Sequence, residues 1–251
     1  MRSVYGICFD TTARSCYHIK PMTEVKLDEN LITEMAKVGV IYGHKKSKTH
    51  PRMKPYIAGQ RNEIELIDPE ATLLGLKKAI EFLKERARPG GLVLLVGSNP
   101  AAQNAVLEFA KEFNMPYVIN RWLGGTLTNL PVISKRMQYF QDLRAKAEKG
   151  ELAQYTKKER AKFNEEVGKM TISFEGLLKL TRVPDALFIV DIDAHSTAVR
   201  EARRLKIPIV AIIDTDDDLD LVDYPIFAND HAKASIEWIV NKLKEGLKTG
   251  L

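Results

Sequence analysis

From residue 64 onward, short apolar runs alternate with longer stretches in which apolar residues recur every three or four positions, the pattern of an α/β chain. Residues 64–67 read as a strand. Pro69 opens a helix that continues over 71–86, and Pro89-Gly90-Gly91 ends it before the uninterrupted apolar run 92–96. A run apolar at every position suits a central parallel strand covered on both faces. A helix over 101–113 leads through Met115-Pro116 to a strand at 117–119. The alternation resumes only at 186–190, followed by a helix around 197–205 and a strand at 209–213.

Residues 131–180 break this rhythm. They are charged and helical, with Gly150 as the expected turn between two arms. On the second arm Phe163, Val167, Met170, Phe174 and Leu177 recur in steps of four and three, a heptad seam, and Thr156 with Glu159 makes the pattern of a capping box at its start. Ile133, Met137 and Phe140 offer matching positions on the first arm, and Arg144 interrupts them. An inserted antiparallel coiled coil that splays toward its tip is expected. The competing arrangement lays both helices flat on the sheet, and the long charged faces favour projection. The expected organisation is an N-terminal extension over 1–30, an α/β domain built from 31–130 and 181–251, and the hairpin 131–180 inserted into it.

Composition narrows the class. A chain of 251 residues with 45% hydrophobic content can bury a large core, and its net charge of +5 weakly favours an anionic partner. The two cysteines, Cys8 and Cys16, match no zinc-knuckle spacing and read as free thiols. With no run of membrane-spanning length and no signal peptide, a cytoplasmic protein with no membrane partner is expected.

The cations are not spread evenly. Between Met35 and Asn62 there is no acidic residue, while Lys37, Lys45, Lys46, Lys48, Arg52, Lys54 and Arg61 are interleaved with Tyr42, His44, His50 and Tyr56. Prolines and glycines keep this stretch from becoming a helix, so the segment 43–62 reads as an extended basic loop. Its cations suit phosphates and its rings suit exposed bases or sugars of a folded RNA; a solvated basic face is the plainer alternative. A second acid-free window, 114–141, carries Arg121, Lys135 and Arg136.

That second window contains the most unusual run in the chain, Arg121-Trp122-Leu123-Gly124-Gly125-Thr126-Leu127-Thr128-Asn129. It follows a strand's carboxyl end, the edge at which open α/β sheets hold their ligands. Gly124 and Gly125 would let the chain turn sharply, Trp122 would anchor the corner as a structural pivot, and Thr128 or Asn129 would start the next helix. Arg121 remains the residue for RNA.

Together, Gly39-Val40-Ile41-Tyr42-Gly43-His44, Pro51-Arg52-Met53-Lys54-Pro55-Tyr56-Ile57 and the Arg121–Asn129 run resemble the hallmarks of the bacterial small-subunit ribosomal protein S2 family. Pro184-Asp185-Ala186-Leu187-Phe188-Ile189-Val190-Asp191, Glu201-Ala202, Ile207-Pro208, Asp214-Thr215 and Asn229-Asp230 follow in the family's order, so the resemblance runs from about 32 to 242. It implies a flavodoxin-like (Rossmann-type) parallel sheet with helices on both faces and a projecting coiled coil. It also implies a non-enzymatic, ribosome-bound constituent of the 30S subunit that is not a homo-oligomer. Its partners would be ribosomal RNA at the junction of head and body and neighbouring proteins, including ribosomal protein S1, which it would help to recruit. The RNA-facing residues would be Lys45, Lys46, Lys48, Arg52, Lys54, Arg61, Arg121, Lys135 and Arg136.

Three departures from the family bear on this. Thr49-His50 stands where the family commonly has Trp-Asn, and Gly97-Ser98-Asn99-Pro100 lacks the family's basic residues. Asp214-Thr215-Asp216-Asp217-Asp218 adds negative charge where a phosphate would be unwelcome. Residues 1–21 fall outside the resemblance and Met22 stands about where family members begin, so either initiation at Met22 or a lineage-specific extension is expected.

Two other function classes compete. A nucleotide-binding enzyme could use the turn at 97–100, but neither the Walker pattern nor G-x-G-x-x-G is present, and G-x-S-x-G is missing too. A free interaction module could act through the coiled coil alone. A divalent metal could draw on His44, Asp191 and Asp214, whose imidazole and oxygen donors would make a partial shell. The preferred reading is that both aspartates cap the turns that follow their strands, so no cofactor is expected.

Overall fold

The computed structural model describes residues 29–88, 90–149 and 156–249. The expectations for the N-terminal extension, for Met22, Cys8 and Cys16, and for the turn at Gly150 lie outside the described residues. The chain runs α1 (Glu29–Val38), β1 (Tyr42–Lys45), short 3-10 turns at Lys46–Lys48 and Pro51–Tyr56, β2 (Ile57–Arg61), β3 (Ile64–Ile67), α2 (Pro69–Arg86), β4 (Val93–Val96), α3 (Pro100–Glu112) and β5 (Tyr117–Val118). There follow α4 (Leu130–Glu148), α5 (Lys157–Phe174), β6 (Ala186–Val190), α6 (Ser196–Arg204), β7 (Ile209–Ile213), β8 (Tyr224–Phe227) and α7 (Lys233–Lys248).

Five strands pair in parallel in the order β5-β4-β6-β7-β8. Counted along the chain this is 2-1-3-4-5, the flavodoxin-like order, with its reversal between β4 and β6. β4, β6 and β7 are buried at every position, as their unbroken apolar runs require. Alternate residues feed two cores. Leu95, Phe188 and Val210 pack with Leu76, Phe109 and Ile239 of α2, α3 and α7, while Leu94, Ile189 and Ala211 pack with Ile133, Phe174 and Ala198 of α4, α5 and α6.

Local chemistry sets the helix starts. Asp68 and Asn99 cap α2 and α3 by accepting from Glu70 N and Ala101 N, each followed by proline at the first helical position. Thr156 and Glu159 form the full capping box of α5. Thr156→Ala is expected to destabilise this helix by about 1 kcal/mol, read as a lower urea midpoint for a two-state transition.

The strand at 64–67 does not join the parallel sheet. It is the centre of a separate antiparallel sheet, β1-β3-β2. Ile64 is exposed while Glu65 and Ile67 are buried, so it lacks the two covered faces of a parallel strand. The segment expected as an extended loop supplies β1, β2 and both 3-10 turns. Pro51 and Pro55 are tolerated in a tight turn, although they would break a longer helix.

α4 and α5 lie against one another. Arg136 stands over the ring of Phe174 at 5.6 Å and Tyr139 donates to Glu166, so later residues of one helix meet earlier residues of the other, an antiparallel pair. Burial along the seam is deepest at the sheet end, where Phe174 is 2% exposed, and falls through Met170 to the half-buried Val167 and Phe163. Arg144 is exposed and pairs with Glu148 of its own helix.

Candidate nucleic-acid interface

The Arg121–Asn129 corner closes around one carboxylate. Glu201 on α6 accepts hydrogen bonds from Trp122 Nε1 at 3.1 Å, Gly125 N at 2.8 Å, Leu127 N at 3.0 Å, and both the amide and hydroxyl of Thr128 at 3.1 Å. Burial pushes its carboxyl up, but these donors outweigh that and hold it below the usual carboxylate range. Each of these donors is neutral, so the corner is organised by hydrogen bonds to a buried anion and leaves Arg121 exposed. The sequence gives a hint of this. Glu201 falls on the same face of α6 as the buried Ala198 and Ala202, where a carboxylate needs partners.

The two glycines differ. Gly125 has φ +87°, and a side chain there would also meet Asn129 at 3.3 Å, whereas Gly124 has ordinary φ and open space. Gly125→Ala is expected to cost about 1–2 kcal/mol in chemical denaturation and Gly124→Ala close to nothing. Asn129 occupies the cap position of α4 without a side-chain capping bond, and the Thr128 hydroxyl is committed to Glu201.

The basic residues fall on two elements. Lys45, Lys46, Lys48, Arg52, Lys54 and Arg61 are exposed on the antiparallel sheet and its turns; Lys135 and Arg136 are exposed on the first turns of α4, and Arg121 on the corner that leads into that helix. Arg52 pairs with Asp220. The antiparallel sheet is fixed to the parallel one through Thr215, just past the carboxyl end of β7. Thr215 Oγ1 accepts from His44 N and its carbonyl from His50 N, both at 2.8 Å. A Cβ on Gly43 would lie 2.4 Å from Thr215 Cγ2, so this approach needs glycine. Met53 is fully buried, and Tyr56 stacks on Phe227 at 4.1 Å. Both basic elements therefore stand off the carboxyl edge of the sheet, one after β5 and one on β7.

Of the four rings interleaved with those cations, Tyr56 is spent on Phe227 and His44 on Asp214. Tyr42 lines a shallow recess with Arg61, Asn62 and Ile64.

In the acidic run after β7, Asp214 and Asp217 are buried while Asp216 and Asp218 are half-buried; with Asp230 after β8, the buried carboxyls are at most 2% exposed and are not presented to an anion. Burial, then neighbouring carboxylates led by Asp230, push Asp217 up to about 8; burial, then Asp214, does the same for Asp230. Both hold their protons near neutrality. The contact with Asp214 is the largest influence on His44 and raises it to about 9 against the opposing effect of burial. His44 Nδ1 lies 3.1 Å from Asp214 Oδ2, but Asp191 does not join them: its Oδ1 accepts from Ala194 N in the following turn. His231 takes that place, with ligand atoms of His44, Asp214 and His231 all within 4.8 Å of one another.

At the β4/β6 reversal, where this topology holds ligands, the polar groups are already engaged. Ser98 N donates to Nε2 of the buried His195, whose Nδ1 lies 2.7 Å from the Asp191 carbonyl, and Asn99 takes the Ala101 amide. An amide that would cradle a phosphate is already donated to the His195 ring. Among the described residues, no helix is long and apolar enough to cross a membrane.

Known proteins match this chain along most of its length. The family model described as ribosomal protein S2 matches residues 35–250. The small ribosomal subunit protein uS2 of Dictyoglomus turgidum is 40% identical over 220 residues, covering 88% of this chain and 89% of that protein. Those of Rhodopirellula baltica, at 40% identity with 88% and 85% covered, and Roseiflexus castenholzii, at 42% with 84% and 81% covered, are similar to the same extent.

Proposed function

The chain belongs to the ribosomal protein S2 family, and from that premise we propose that it binds small-subunit ribosomal RNA through the two basic elements at the carboxyl edge of its sheet. It is a structural, non-enzymatic constituent of the small ribosomal subunit in translation. The observation that carries the RNA-binding reading is the exposure of Lys45, Lys46, Lys48, Lys54, Arg61, Arg121 and Lys135. Among the described residues, none of these pairs with a carboxylate. Solvated, uncompensated cations on rigid elements give up counterions at low cost when they meet phosphates.

In this reading the antiparallel sheet and the Arg121 corner act as one rigid face. Phosphates lie against its lysines and arginines, and the Tyr42 recess beside Arg61 receives a base or sugar. Trp122 holds the corner in place through Glu201 and is not a stacking platform. Binding at the junction of head and body, recruitment of ribosomal protein S1, and a cytoplasmic, ribosome-bound location extend the same family-based reading.

Sedimentation tests it. The tagged chain should track with small subunits at moderate salt and leave them as salt rises; absence from that fraction at low salt would overturn the assignment. Subunits lacking the chain should carry less ribosomal protein S1, and unchanged S1 content would remove recruitment from its role.

A further inference from the structure

We propose, on the basis of the RNA-binding reading, that Tyr139 stacks on an unpaired base of the small-subunit RNA while Lys135 and Arg136 hold its phosphates. The interface then continues from the Arg121 corner onto the outer side of α4. Tyr139 is 48% exposed, the one exposed ring among the phenylalanines, tyrosines and tryptophans of the described residues. The others are buried or half-buried, and Trp122 and Tyr56 are committed to Glu201 and Phe227. Helix geometry sets the exposed ring among cations. Val132, Lys135, Arg136 and Tyr139 follow in steps of one, three and four, so they form one stripe along α4, while Ile133, Met137 and Phe140 turn into the core. Val132 is 49% exposed and stands two turns, about 10 Å, before Tyr139. Lys135 and Arg136 are exposed between them, and among the described residues neither pairs with a carboxylate.

Across the hairpin, Glu166 Oε1 accepts from the Tyr139 hydroxyl at 3.4 Å, and Arg136 lies over the Phe174 ring at 5.6 Å. Both side chains are thus held from α5 before any RNA arrives, which lowers the ordering cost of binding. Charge selects the partner. No acidic residue occurs from 114 to 141, so this stripe offers a ring, an aliphatic side chain and two cations with no anion of its own. A nucleotide matches all of these: its base stacks on the tyrosine face, and its flanking phosphates meet the lysine and the arginine. The base must be unpaired, because bases within an RNA helix have both faces covered by their neighbours. Asp142, one turn beyond, and Glu166 bring negative charge, so the footprint ends at the ring.

The test titrates small-subunit RNA with the full chain and with its Tyr139→Ala, Tyr139→Phe and Lys135→Ala variants across a salt series. Tyr139→Ala should weaken binding about 5- to 30-fold at every salt concentration and leave the slope of log affinity against log salt unchanged. Tyr139→Phe keeps the ring and should stay within about twofold of the unmodified chain. Lys135→Ala should lower the slope by about 1. An alanine variant that binds as tightly as the unmodified chain would overturn the stacking, as would a phenylalanine variant that loses as much as alanine. Full RNA affinity combined with loss of a neighbouring ribosomal protein from subunits carrying Tyr139→Ala would assign the ring to a protein contact and equally overturn it. If the unmodified chain showed no salt-dependent affinity, the RNA-binding reading itself would fall; stacking fails alone when that affinity is intact and indifferent to Tyr139.

Discussion

Glu201→Ala is expected to destabilise the protein by about 4 kcal/mol, the largest single-residue effect outside the apolar core. The carboxylate is the common acceptor for five donors, three of them backbone amides that cannot turn elsewhere without unwinding the corner. Each buried donor left unpaired costs about 1–3 kcal/mol, and water entering the vacated space recovers part of the sum. Glu201→Gln should cost about half as much, because its carbonyl still accepts while its amide faces donors. Urea denaturation followed by circular dichroism measures both. A loss below about 1 kcal/mol for the alanine variant would mean that the corner does not depend on this anion. Trp122 is tied to the same carboxylate, so its fluorescence should report a loosened corner before global unfolding.

Replacing Lys45, Lys46 and Lys48 together by alanine is expected to weaken RNA association by roughly 10²-fold at 0.1 M salt and to lower the slope of log affinity against log salt by about 2 to 3. The three lysines are exposed, and their removal leaves Met53, Tyr56 and the Thr215 contacts in place, so the thermal midpoint should move little. Titration with small-subunit RNA across a salt series separates charge from folding. An unchanged slope would mean that these lysines do not face phosphate.

The parallel sheet was legible because β4, β6 and β7 are apolar at every position, and burial on both faces is a property each strand carries in its own residues. The starts of α2 and α5 were legible for the same reason: Pro69, and Thr156 with Glu159, act within one turn, although the Asp68 cap before Pro69 was not singled out. The partner of β3 was not, since a four-residue run such as 64–67 has no information about which strand lies beside it. The Glu201 corner and the His44–Asp214–His231 cluster escaped in a similar way. Glu201 lies 73 to 79 residues from its donors, and His231 reaches His44 only because β1 is pinned beside the ends of β7 and β8. The acid-free windows did mark the cations, because absence of countercharge is visible in sequence; which rings remain free for RNA depends on packing, as Tyr56 on Phe227 demonstrates.

The most direct measurement is ultraviolet cross-linking of small subunits that contain this chain, with the RNA-linked peptides identified by mass spectrometry. RNA attached to peptides from 43–62 and from 121–136 is the predicted result. Cross-links confined to other surfaces, with both of those peptides free of RNA, would contradict an interface at the carboxyl edge of the sheet.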